Sequence, residues 1–242
     1  MNRFASLKAY TDRYAPIYGT EDFCVYFYSL VKMRRPQRVV ELGTGIGAVA
    51  LWGALALEEN GAGHLLSIDN GQEWPRLQQA IEPDNPFYRE DYVEYIAALL
   101  EHFQLSRLQF QHSTVQYQAL PEGIDILFSD YAHSPLNILA LLADVLPKMS
   151  STSLIMIDSA STYYPSYALL EQLIAEFNAG RVPTTLLNVV QDQTQFQERV
   201  RQTQFSLQHL VEAKSRSQNS TAIISLQPRD LFPYPLTSMR FS

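Results

Sequence analysis

Val39-Val40-Glu41-Leu42-Gly43-Thr44-Gly45-Ile46-Gly47 joins a short apolar run to three glycines at alternate positions. A helix-like segment, residues 48–57, follows directly. A buried strand, a glycine turn and a helix N-terminus in succession are how α/β proteins cradle a nucleotide-like ligand. Glycine permits the sharp turn and puts no Cβ between backbone and ligand. Glu41 stands just ahead of the first glycine. An acid there points to a ligand with a positive group.

On either side of this stretch, apolar runs alternate with helical segments. Residues 38–42, 63–69, 108–112, 124–129, 153–157 and 184–190 read as strands, and 48–59, 92–103, 136–146 and 167–177 as helices. Such alternation predicts an α/β, doubly wound, mainly parallel sheet with helices on both faces. The runs 205–212 and 221–227 flank the polar stretch 214–220, which signals an antiparallel C-terminal hairpin. The sheet expected is seven-stranded and Rossmann-like. Residues 1–36 read as an N-terminal helical cap rich in tyrosine (Tyr10, Tyr14, Tyr18, Tyr26, Tyr28), with Thr20 as a helix cap and Pro36 as the stop. Residues 37–242 then form the ligand-binding unit. The connection between Asp69 and Leu108, with Pro75, Pro83 and Pro86, is long for one crossover. It reads equally as a lid over the ligand edge or as a surface excursion.

Composition narrows the classes. The chain has 242 residues, 46% of them apolar, enough for one large core. A formal net charge of -7 argues against a broad nucleic-acid surface, which needs clustered Lys and Arg. The runs 32–35 and 214–216 are too short to form one and read as solvated ends or loops. Cys24 is the single cysteine, sits in an apolar run and reads as a core residue. No signal-peptide pattern and no apolar run near the ~18 residues of a membrane span is visible, so the expectation is a cytoplasmic protein with no membrane partner.

Ligands of open α/β sheets bind beyond the C-terminal strand ends. Four expected strands end in an acid at or near that edge: Glu41, Asp69, Asp130 and Asp158. Each acid singly could cap a helix or make a turn. Together they favour a functional edge. Gly43, Gly45 and Ala48, with Asp69 further on, also meet the spacing of a nicotinamide-cofactor turn, so the glycines alone leave the ligand open.

The whole set is more specific. Glu-Leu-Gly-Thr-Gly-Ile-Gly, then Ser-Ile-Asp, then Ile-Asp-Ile-Leu-Phe-Ser-Asp and a terminal hairpin resemble the class I S-adenosylmethionine-dependent methyltransferases, closely from Arg38 to Asp158 and loosely to Gln227. The resemblance implies that Gly43, Thr44, Gly45 and Gly47 pass beside the donor and that Glu41 faces its ammonium group. It implies ribose binding by Asp69 with help from Asn70, and contact of Ser113 and Thr114 with the adenine edge. Asp130-Tyr131-Ala132-His133-Ser134 resembles the Asp-Gly-Asp-His-Ser motif of a bacterial small-molecule group and the Asp-x-x-Lys motif of the catechol and caffeoyl-coenzyme-A O-methyltransferases. In those enzymes a divalent cation is held near the fourth and fifth strands, which here implies Mg²⁺ at Asp130, Asp158 and Ser159. Two departures weaken that site: Ala132 replaces a carboxylate of some relatives, and Ser159 replaces an amide.

His133 takes the place of the family's lysine base. A base of pKa about 6.5 suits deprotonation of a phenol or activated hydroxyl; the other reading is a cap on the following helix. Trp74 reads either as an adenine flank or as a surface hydrophobe. Tyr163, Tyr164 and the N-terminal tyrosines read as an acceptor wall or as packing. The function expected is methyl transfer to a small-molecule acceptor, at a hydroxyl oxygen, with Asp130 and His133 catalytic. The alternatives are a macromolecular acceptor or a non-catalytic S-adenosylmethionine-binding module. The aromatic N-terminal segment also suits a homodimer contact.

Overall fold

Alternation between two helical faces organises the chain. The computed structural model describes residues 2–18, 21–81, 85–131, 133–212 and 220–231. Its strands are β1 (Arg38–Leu42), β2 (His64–Asp69), β3 (Leu108–His112), β4 (Ile124–Ser129), β5 (Met149–Asp158), β6 (Thr203–Val211) and β7 (Ser220–Pro228). They form one seven-stranded sheet of order β3-β2-β1-β4-β5-β7-β6. The first five pair in parallel, and β7 runs antiparallel to both β5 and β6. The helices are α1 (Arg3–Tyr18), α2 (Glu21–Arg34), α3 (Ala48–Asn60), α4 (Trp74–Ala80), α5 (Tyr92–Phe103), α6 (Pro135–Val145), α7 (Tyr164–Asn178), α8 (Thr184–Leu187) and α9 (Gln193–Gln202).

Strand side chains alternate between faces, and the core divides accordingly. Val39, Leu65, Ile126, Phe128, Leu154 and Met156 point to one face and pack with Leu7 of α1, Phe23 and Phe27 of α2, and Leu51 and Leu55 of α3. Val40, Leu42, Leu127, Ile155 and Ile157 point to the other and pack with α6, α7 and α9 through Leu141, Leu170 and Phe196. Burial of this apolar surface is the main stabilising term. Cys24 is fully buried, as a core residue should be. At Gly53 of α3 a Cβ would fall 2.7 Å from Leu65 and 2.8 Å from Phe27, so the missing side chain is what lets α3 sit tightly between β2 and α2.

Two expectations need correction. The run 184–190 is not a strand: it holds α8 and the turn after it. Leu186 and Val190 are buried while Val189 is half exposed, a spacing of four that suits a helical turn and not the alternation of a strand. The sheet still has seven strands because the terminal hairpin supplies the last two. β5 is also longer than expected, starting at Met149, with a register irregularity opposite Ile124 and Ile126. Thr20 and the hairpin turn at 213–219 lie outside the described residues. Among the described residues no helix is long and apolar enough to cross a membrane.

Candidate functional site

Strand order brings the four acids together. Their strands, β2, β1, β4 and β5, are consecutive neighbours. Asp130 and Asp158 follow the paired residues Ser129 and Ile157, so their carboxyl groups lie side by side. Counting by twos from Val39, Leu65, Phe128 and Met156 puts all four acids on the face covered by α1–α5.

The turn after β1 is fixed from below. Gly43, Gly45 and Gly47 have φ of 89°, 54° and 82°, values that side chains rarely tolerate. A Cβ on Gly43 would also lie 3.3 Å from the Asp130 backbone, where the ends of β1 and β4 meet. Glu41 is buried beneath the turn. Ser67, its partner across the β1–β2 pair, donates a hydrogen bond to the Glu41 carboxylate, and the Ala50 backbone N–H gives a second. Thr44 Oγ1 and Ser67 Oγ are 2.6 Å apart. Burial, with a smaller push from Asp69, still raises Glu41 to a pKa of about 8. Asp69 braces the turn from the side: one oxygen accepts from Thr44 N at 2.8 Å and Gly45 N at 3.0 Å, the other from Gly71 N at 2.7 Å.

Tyrosine hydroxyls hold the turn from above. Tyr92 donates to Gly45 O at 2.7 Å. Tyr95 donates to Ile46 O at 3.3 Å and lies 2.5 Å from the Tyr10 hydroxyl of α1. Trp74 is buried and stacks on Tyr92 at 5.1 Å, so it is no surface hydrophobe. Its indole N–H donates to Glu90 O. The long connection between β2 and β3 therefore builds a wall.

A cavity of about 260 Å³ opens between these parts. Gly43, Gly45, Asp69, Asn70 and Asp130 line it, as the sequence suggested, together with Trp74, Tyr92 and Val115. Glu41, Thr44 and Gly47 are not on its wall; they support the turn that is. Ser113 and Thr114 are not on it either, because Ser113 is turned to β2 and β3 by bonds from its N–H to Asp69 O and from Gln111 to its hydroxyl.

Beyond Asp130 lies a second group. Asp130, His133 and Asp158 each offer one ligand-type atom, all within 4.8 Å of one another. Burial raises the pKa of both acids, and the Asp158 carboxylate raises Asp130 further. Their carboxyl oxygens lie within 4.8 Å of each other, and of the two Asp130 is pushed up the more strongly. Asp130 Oδ1 is buried and receives no hydrogen bond; His133 Nε2 stands 3.6 Å away. His133 Nδ1 lies 3.1 Å from the Asp158 carbonyl oxygen. That oxygen only accepts, so Nδ1 is the donor, and Nε2 is the nitrogen turned toward Asp130. The helix-capping role considered for His133 belongs to Ser134, whose hydroxyl accepts from Asn137 N. Ser159 has φ 57°, and its hydroxyl donates to Asp158 Oδ2 at 2.8 Å. That bond orients the carboxylate. Ala132 lies outside the described residues.

Ser67, Tyr95 and Val115 escaped the sequence reading. A hydroxyl inside an apolar strand was the available signal for Ser67. Tyr92 and Tyr10 were visible only as members of tyrosine-rich segments.

Residues 40–160, half of the 242-residue chain, match the family model of the methyltransferase domain. Among solved structures, a methyltransferase from Geobacter sulfurreducens is 15% identical with a TM-score of 0.53, over 92% of this chain and 90% of that one. An SAH-bound methyltransferase of Podospora anserina is 10% identical with a TM-score of 0.53, over 94% and 88%. An O-methyltransferase from Bacillus cereus in complex with SAH is 13% identical with a TM-score of 0.50, over 85% and 81%. At these identities the likeness shows the fold. No curated protein matches the sequence.

Proposed function

The chain belongs to the methyltransferase-domain family, the S-adenosylmethionine-dependent enzymes its motifs resemble, and from that premise we propose that it methylates a hydroxyl oxygen of a small-molecule acceptor. One observation carries this reading: the glycine turn, Asp69, Asp130 and an aromatic wall enclose one cavity at the carboxyl ends of β1, β2 and β4. That is the crevice where open α/β sheets bind nucleotide-like ligands.

The bound donor supplies an electrophilic methyl group on a sulfonium. The chain does the rest. Gly43 and Gly45 present bare backbone to the ligand, Asp69 keeps lone pairs for ribose hydroxyls, and Trp74 with Tyr92 offers a flat surface for the adenine. The Asp69 carboxylate favours a cationic ligand, and the buried Glu41 carboxyl supports the turn from beneath. His133 Nε2 is placed to take the acceptor's proton while Nδ1 stays anchored on the Asp158 carbonyl. Alignment of acceptor and methyl contributes the larger share of the acceleration.

A divalent cation fits between Asp130, His133 and Asp158, where Asp130 Oδ1 lacks a hydrogen bond. An imidazole in the donor set suits Mn²⁺ or Zn²⁺ better than Mg²⁺, which prefers oxygen throughout. Such an ion would polarise the acceptor oxygen, and with Nε2 bound to it His133 would not be the base; the two roles of that nitrogen are alternatives.

Calorimetry with S-adenosylhomocysteine (SAH) tests the donor site. Micromolar or tighter binding is expected, with Asp69→Ala weakening it at least about 100-fold because ribose contacts and the turn's brace are lost together, ~2.7 kcal/mol or more. No affinity of the wild-type protein for SAH would sink the reading. Transfer of label from S-adenosylmethionine to a pool of small phenols tests the acceptor class.

A further inference from the structure

We infer that the chain carries a second ligand site, for the phosphate group of a small molecule, at the end of the sheet opposite the donor cavity. The site does not depend on the methyltransferase reading.

Its space comes from a missing helix. A parallel crossover commonly lays a helix over the sheet. The connection from β3 to β4, residues 113–123, holds only the 3₁₀ turn Tyr117–Ala119. Tyr117 and Leu120 pack on the sheet in place of a helix. Beside this connection a cavity of about 510 Å³ is lined by Arg38, His64, Leu66, Arg107, Gln109 and Pro121, among others. That volume holds a phosphate with a small organic body. Val39, Leu65 and Leu108 also border it, but their side chains are buried on the opposite face, so they offer backbone. Arg38 and His64 are partners across β1 and β2, and Leu66 and Gln109 are partners across β2 and β3. Counting by twos puts all four on one face, at the strand starts.

Charge gives the sign of the ligand. Among the described residues no carboxylate lines this cavity. Two acids touch its lining residues, and both are engaged. Asp125 accepts from the backbone N–H groups of Gln37 and Arg38 and from the Ser150 hydroxyl. Glu58 accepts from the backbone N–H groups of Ser106 and Arg107 and stands 3.8 Å from Arg107 Nε, so it offsets part of that charge. Arg107 is further held by its bond to Gly63 O at 3.1 Å. The Arg38 guanidinium lies over Gly123 instead, where a Cβ would come 3.4 Å from Nη1. Guanidinium groups offer forked donors that match phosphate oxygens. The basic side chains are gathered in one cavity on a chain of net charge -7, which suits a small phosphate and not the long backbone of a nucleic acid.

Calorimetry on the full chain tests this at saturating SAH, which fills the donor cavity. The probes are inorganic phosphate, glucose 6-phosphate and glucose. Both phosphates should bind saturably, with Kd about 1 mM or tighter, and compete with each other, while glucose should not bind. Arg38→Gln with His64→Gln should weaken both phosphates at least about tenfold, the loss expected when charge-assisted bonds go. Both side chains are exposed and distant from the donor cavity, so SAH affinity should stay within about twofold. Absence of binding by both phosphates, equal binding of glucose, phosphate binding that survives the double variant, or tighter binding of a single-stranded RNA each overturns the inference. Loss of SAH binding in the wild-type protein fails the donor reading and leaves the phosphate comparison standing.

Discussion

At His133, the proposed chemistry depends on the orientation of one ring. The Asp158 carbonyl accepts from Nδ1, so the proposed base is Nε2. His133→Ala should lower turnover by about 10²–10⁴-fold. SAH affinity should stay within twofold, since the ring is not on the donor cavity's wall. Equal losses in both would make the residue structural. Glu41 makes a second prediction at this scale. Its carboxyl is raised from the usual 4.5 to about 8, so the folded state holds a proton that the unfolded chain releases. Its contribution to stability is full below pH 4.5 and is lost as pH rises toward 8. Thermal melts from pH 5.5 to 8 should show a steeper decline for the wild-type protein than for Glu41→Gln. Parallel profiles would remove Glu41 as the source. The acids themselves were readable from the sequence. Ser67 and the Nδ1 contact were not, because both depend on which residue lies across a strand pair or a loop.

Among the elements, α1 and α5 act on the glycine turn through tyrosine hydroxyls rather than through the ligand. Tyr92→Phe keeps the ring against Trp74 and removes the bond to Gly45 O. One such bond contributes about 0.5–1.5 kcal/mol, so SAH affinity should fall about threefold to tenfold, measured by calorimetry, with the fold unchanged by circular dichroism. An unchanged affinity would mean that the turn holds its shape without the clamp. α5 was legible to its exact bounds, since Asp91 caps it and its apolar residues recur on one face. The stretch 184–190 misled because its leucines and valines suit either element in isolation. Burial of Leu186 and Val190, four apart, settled it as a helical turn.

For the whole molecule, ligand binding and stability are linked through the sheet edge. Because the ends of β1, β2 and β4 together with α4 and α5 contribute to the donor cavity, SAH should stabilise the entire fold. At 100 times its Kd, SAH should add about 2.7 kcal/mol, read as a rise in Tm that grows with the logarithm of concentration. A Tm indifferent to saturating SAH would count against a single cooperative unit. The sequence by itself determined the fold class, the glycine turn and the four acids, because each is written in local spacing: a period of two, a period near four, and glycine where φ turns positive. That the acids share one face was not local: it follows from the side on which Val39, Leu65, Phe128 and Met156 pack. Only the tertiary structure decided that their strands are neighbours, that Asp130 lies beside Asp158, and that the tyrosines of distant helices hold the turn. Those facts depend on strand order and on packing between distant segments, as at Tyr10 and Tyr95, 85 residues apart. No local pattern encodes them.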